Sequence, residues 1–147
     1  MEYFGLIPGP ATAQARPRAY AGRNGVRVYE PEQCRNYKAY AKSCLAQTRP
    51  LGLLDGPIRM VIEVYILKPK SWPKKRCFAD TKPDADNLAK TIMDACEGLI
   101  YTNDSRVITL LVTKQLTTTE PRVEVHCGEV AEAAEILRGR KPGKDGS

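Results

Sequence analysis

A chain of 147 residues with 42% hydrophobic and 27% charged side chains has the make-up of one globular domain, and it needs no disulfide staple because that length buries roughly 70% of the unfolded surface. Its 23 Lys+Arg against 17 Asp+Glu leave a net charge of +6, which favours a polyanionic partner. The longest apolar stretches, Met60 to Leu67 and Val107 to Val112, fall far short of the roughly 20 residues of a membrane span, and no basic-then-apolar leader opens the chain, so a cytoplasmic protein without a membrane partner is expected.

Residues 3 to 7 read as a short strand, stopped by Pro8-Gly9-Pro10. From there to about Arg27 the chain is rich in Pro, Gly, Ala and Arg, which predicts an extended, mobile loop with Val26 to Tyr29 as a short strand at its end. Glu30-Pro31-Glu32 puts a proline in a first turn and acids at the positive end of a helix dipole; Tyr37, Tyr40, Ala41, Cys44 and Leu45 then recur at helical spacing, giving a helix over 31–47. Ile58, Met60, Ile62, Val64 and Ile66 alternate with residues of the opposite face, the period of a strand with one side in the core. A basic loop follows to about Pro83. Residues 84 to 98 return to helical spacing through Leu88, Ile92 and Ala95, closed by Gly98. Two strands are expected at 106–116 and 121–127, with Thr117 to Glu120 as the hairpin turn between them. An amphipathic helix carrying Val130, Ala133, Ala134 and Leu137 then leads into a Gly- and Lys-rich tail of disordered composition. This order predicts an α+β fold, a small mixed or antiparallel sheet packed against two helices. One domain covers 1–128, and 129–147 forms the short helix and basic tail.

The five cysteines, Cys34, Cys44, Cys77, Cys96 and Cys127, include no C-x-x-C pair, so neither a disulfide framework nor a zinc site is expected. A single histidine, His126, lies in an expected strand, where packing or hydrogen bonding suits it better than catalysis. Its solitude argues against a serine triad and against most zinc hydrolases. Any chemistry must therefore come from carboxylates, lysines and a bound metal.

Those residues gather in Lys82-Pro83-Asp84-Ala85-Asp86-Asn87-Leu88-Ala89-Lys90, continuing through Asp94, Glu97 and Gly98-Leu99-Ile100-Tyr101 to Asn103-Asp104. Pro83 sets the helix start near Asp84, and Asp86, Lys90, Asp94 and Glu97 then share its polar face. Taken singly, Asp84 is a helix cap, Asp86 and Lys90 an i,i+4 surface pair, and Asn103-Asp104-Ser105 turn chemistry. Taken together, two acids at a helix start and a third before a later strand form a set of hard oxygen ligands that repel one another unless a cation sits among them. Mg²⁺ suits such a set, with Mn²⁺ a plausible substitute, and a metal so placed can bind a phosphate oxygen and activate water. Lys90 can offset transition-state charge. Basic residues crowd into Arg16, Arg18, Arg23 and Arg27, and again into Lys68, Lys70, Lys74, Lys75, Arg76 and Lys82, the second group immediately upstream of the acids, and they offer phosphate contacts.

The Lys-Pro-Asp-x-Asp-Asn-Leu-x-Lys run, followed by Asp94-Ala95, Gly98-Leu99-Ile100-Tyr101 and an acid before a strand, resembles the signature of the RusA Holliday-junction resolvases. Pro10 through Arg18, Pro69-Lys70-Ser71-Trp72 and Glu120 through Val125 are similar to further segments of that family, so the resemblance spans about residues 3 to 127. It implies a homodimeric, RusA-like α+β endonuclease that makes paired, symmetric nicks in four-way DNA junctions. It also implies that Asp84, Asp86 and Asp104 bind Mg²⁺, that Lys90 is the catalytic lysine, and that the setting is recombination, repair or phage DNA processing in a bacterial or phage-infected cell. DNA contacts are expected from Arg16, Arg18, Lys70, Lys74, Lys75, Arg76 and Lys82. One departure stands out: many members carry two adjacent acids where this chain has Asn103-Asp104. Two other readings stay open, a nuclease for other branched DNA or RNA, and a non-catalytic nucleic-acid-binding module using the basic loop with Trp72 and Phe78.

Overall fold

The structure, a computed structural model, describes residues 2–13, 18–22, 25–29 and 32–130. In chain order it contains β1 (Glu2–Pro8), β2 (Arg18–Gly22), β3 (Gly25–Tyr29), α1 (Glu32–Ala46), β4 (Ile58–Leu67), α2 (Ala85–Cys96), a 3₁₀ turn (Asp104–Arg106), β5 (Val107–Thr117) and β6 (Arg122–Glu129). The expected helix and tail beyond Val130 lie outside the described residues. No helix among the described residues is long and apolar enough to cross a membrane.

Four strands form one mixed sheet in the order β1-β6-β4-β5, with β4 and β5 parallel and the other pairings antiparallel. The expected α+β class therefore holds, but the expected hairpin does not. β5 and β6 are not neighbours: β4 lies between them. The reason is the helix that separates β4 from β5. A strand–helix–strand connection returns the second strand parallel to the first, and the chain after Thr117 must then cross the end of β4 to reach its free side. The alternation of β4 is what suits it to that central place, since Ile58, Met60, Ile62 and Val64 are all fully buried.

These residues join Val123, Val125 and Cys127 of β6 and Tyr3 and Ile7 of β1 on one face of the sheet. Against that face pack Tyr37, Ala41 and Leu45 from α1 and Leu88, Ile92 and Ala95 from α2. Each fully buried aliphatic side chain contributes about 1.5–3 kcal/mol relative to exposure. Gly5 lets α1 approach β1, because a Cβ there would collide with the Tyr3 hydroxyl and a Leu45 methyl. The opposite face of the sheet carries Glu63 and Tyr65 from β4 and Arg122, Glu124 and His126 from β6, all partly exposed.

The stretch from Pro10 to Arg27 differs from its expected loop, because Arg18–Gly22 pairs antiparallel with Gly25–Tyr29 as a separate two-stranded sheet. Arg-Ala-Tyr-Ala-Gly has no β-branched residue to announce a strand; pairing with β3 makes it one.

Candidate functional site

Helix α2 begins where the motif predicts, with Asp84 at the N-cap position. Its backbone is extended there, yet its side chain makes no capping hydrogen bond to the helix. The reading of Asp84 as an ordinary cap is thereby set aside. An Asp at this position normally accepts a bond from the first-turn N–H groups; here the carboxylate stands exposed instead. Asp86, two residues on, is also exposed, and its Oδ1 accepts a 2.9 Å bond from the Asn87 N–H. The loop leading into Asp84 is fastened to β5 by Lys114, whose Nζ donates to the Thr81 carbonyl at 2.7 Å and the Pro83 carbonyl at 2.8 Å.

Asp104 opens the 3₁₀ turn after α2, and the side chain of Asn103 accepts from the Ser105 N–H at 2.8 Å, so Asn103 serves the turn. Behind it the fully buried Tyr101 donates its hydroxyl to Asp104 Oδ1 at 2.9 Å and lies 3.3 Å from the Met93 carbonyl. Gly98, at φ +78°, lets the chain turn off the end of the helix toward Tyr101. Partial burial raises the Asp104 carboxyl above its ordinary range; the Tyr101 hydroxyl pulls it down, Glu97 and Asp94 push it up, and Lys90 pulls it down. Asp104 thus feels the outer face of α2, the face that carries Lys90, Asp94 and Glu97.

On that face the ion pair runs from Lys90 to Asp94, at 3.2 Å, rather than back to Asp86. Asp94 also receives the Lys38 ammonium of α1 at 2.9 Å. Lys90 is more than half exposed, so its pair adds only about 0.3–0.5 kcal/mol to stability. Lys38 had no signal in the sequence, because only the packing of α1 on α2 brings it here.

The donor chemistry fits Mg²⁺: the acids are hard oxygen ligands, two are exposed, and the third is partly buried, with Glu97 and Asp94 among its charged neighbours. Among the described residues, the three ligating side chains whose donor atoms all lie within 4.8 Å of one another are Glu63, Glu124 and His126; Asp84, Asp86 and Asp104 are not drawn that tightly together. Mg²⁺ does not require it, since the ion retains several waters and uses one or two carboxylates. The Glu63 set lies on the sheet face away from the helices and already has protein partners. Arg122 bonds Glu124 at 3.1 Å, Tyr65 donates to Glu63 at 3.4 Å, and His126 packs on Phe4 at 4.9 Å between ring centres and sits 3.7 Å from Glu63.

Of the expected DNA contacts, Lys70, Lys74, Lys75 and Lys82 are exposed in the loop between β4 and α2. Arg76 is engaged within that loop, stacked 3.6 Å over Trp72 and ion-paired with Asp80. Arg16 and Arg23 lie outside the described residues, and of Arg18 and Arg27 only the backbone, in β2 and β3, is described. A profile of the family described as endodeoxyribonuclease RusA matches residues 8–127. The chain belongs to the RusA endodeoxyribonuclease family. It is also 38% identical over 135 residues to the "Uncharacterized protein YqaN" of Bacillus subtilis (strain 168), an alignment covering 85% of this chain and 94% of that protein. The family match takes in the whole of α2, the loop before it, Tyr101 and Asp104, and ends within β6.

Proposed function

We propose that the chain is a metal-dependent endonuclease that resolves four-way DNA junctions by paired, symmetric nicks, acting as a homodimer, with Asp84, Asp86 and Asp104 as the metal-binding carboxylates. The observation that carries this reading is Asp84: an acid of the family motif at a helix N-cap that does not cap its helix. A carboxylate kept off the nearest N–H donors is available to a cation. Mg²⁺ is the expected ion, with Mn²⁺ able to replace it, and when bound it supplies a Lewis acid for a phosphate oxygen and a lowered pKa for the attacking water.

The remaining work falls to the protein's own groups. Asp84 and Asp86, at the exposed start of α2, face the backbone to be cut. Tyr101 orients Asp104 from beneath. Lys90 brings a positive charge to the same helix face, held by Asp94, where it offsets the charge gained by the phosphodiester in the transition state. Lys70, Lys74, Lys75 and Lys82 hold flanking phosphates. A two-fold protein pair matches the two equivalent strands of a junction. Recombination, repair or phage DNA processing would use such an activity.

The test is nicking of a synthetic immobile junction with and without Mg²⁺, alongside a linear duplex. Asp86→Asn is expected to abolish nicking while leaving junction binding intact. Parental cutting by that variant would refute the ligand assignment, and equal cutting of the duplex would remove junction selectivity.

A further inference from the structure

Lys114 lies within β5, far along the chain from the motif at Lys82 to Lys90, and its ammonium is taken up by the protein itself. An ammonium has three donors and no acceptor, and its ordinary partner is water. Here two donors go to main-chain carbonyls, Thr81 at 2.7 Å and Pro83 at 2.8 Å, both charge-assisted bonds of short length. The segment they hold runs beside β5. The Leu116 N–H donates to the Cys77 carbonyl at 2.8 Å, Phe78 bridges Gln115 in antiparallel sense, and the Ala79 N–H donates to the Lys114 carbonyl at 3.3 Å. Past Ala79 the Lys114 side chain continues the attachment to residues 81 and 83.

The second of those carbonyls matters most, because the Pro83 C=O and the Asp84 nitrogen share one rigid peptide plane. We propose that Lys114 is a positioning residue, fixing through the Pro83–Asp84 peptide plane the direction in which the Asp84 carboxylate leaves the chain. This rests on the metal-site reading given above. Asp84 has no side-chain bond to its own helix, so the plane before it is the protein's means of aiming it. The Lys114 charge also helps to hold the Asp80 carboxyl below its ordinary range, after the larger effects of Arg76 and of the Asp80 backbone, which places the ammonium among the groups of this loop.

The experiment compares the full chain, Lys114→Met and Lys114→Arg by calorimetric titration with Mn²⁺ in the absence of DNA. Hydrogen exchange across residues 77–84 and junction cleavage resolved into kcat and KM accompany it. Lys114→Met is expected to weaken Mn²⁺ binding by about 10-fold or more, the usual effect of losing a group that orients a metal ligand. Exchange in the loop should quicken, and kcat at fixed Mn²⁺ should fall and recover with excess Mn²⁺. KM for the junction should stay within a factor of about two, because no ground-state contact to DNA is lost. Lys114→Arg, which can still bridge two carbonyls, should restore most of the metal affinity. Parental Mn²⁺ affinity in Lys114→Met overturns the proposal even if its melting temperature falls, since Lys114 would then only fasten the loop. A raised KM with unchanged Mn²⁺ binding also overturns it, making Lys114 a DNA contact. If Lys114→Met does not fold, Lys114→Gln carries the same comparison, and parental Mn²⁺ binding there is equally fatal. Absence of Mn²⁺ uptake by the parent chain removes the metal-site reading and this proposal together, and shows itself before any variant is compared.

Discussion

Tyr101→Phe separates the site from the core with the loss of one oxygen. The ring is fully buried and phenylalanine fills the same space, so no cavity of consequence opens. What disappears is the 2.9 Å bond from the phenol to Asp104 Oδ1, together with the hydroxyl's longer 3.3 Å contact to the Met93 carbonyl. A hydrogen bond to a charged acceptor contributes about 1.5–3 kcal/mol, which for a chain of this length lowers the melting temperature by about 4–10 °C. The deficit should depend on pH. Asp104 has a raised carboxyl pKa, led by desolvation, so its own contribution to stability is largest below the ordinary carboxyl value and is lost as pH rises through the raised one. The Tyr101 hydroxyl opposes this by favouring the charged form. Its removal should therefore matter least in acid, where Asp104 is protonated in parent and variant alike, and reach a plateau above the variant's carboxyl pKa, which loss of the hydroxyl raises further. Thermal melts of both proteins, followed by circular dichroism across the acid range to neutrality, give the two curves. A variant that melts with the parent at neutral pH, or one whose deficit is the same at every pH, would refute the assignment of this bond.

Two further outcomes follow from the buried thiols and phenols. Burial pushes the Cys127 thiol up to about 12 from its ordinary 9.0, and raises Cys96, Tyr37 and Tyr101 as well. All of these groups keep their protons more tightly when folded, so their stabilisation is complete below the unfolded values and is lost as pH climbs from about 9 toward 12. Urea midpoints should fall steadily over that range; a flat profile would contradict the burial of these groups. In a thiol-labelling assay at neutral pH, the exposed Cys77 should react first, while Cys34, Cys96 and Cys127 should wait for denaturant. Early labelling of Cys96 would place it outside the core.

The sequence by itself determined the two main helices and the central strand, and it located the acids and the lysine of the candidate site. Each rests on information carried locally: the period of Ile58 to Val64, the helical spacing of Leu88, Ile92 and Ala95, and a run of acids with a lysine at the start of a helical segment. The basic loop was legible for the same reason. Strand neighbours were not, because Thr117 to Glu120 looks the same whether it closes a hairpin or carries the chain past the end of β4. Only the full sheet puts β4 between β5 and β6. The distant partners of the motif residues were hidden likewise. Lys38 reaches Asp94 across two packed helices, Lys114 reaches Pro83 across 31 residues, and Asp84 forgoes the capping bond that its position offers. Periodicity and composition encode what a segment does with its own neighbours. Which distant ammonium meets which carbonyl depends on how the segments pack, and that only the tertiary structure decided.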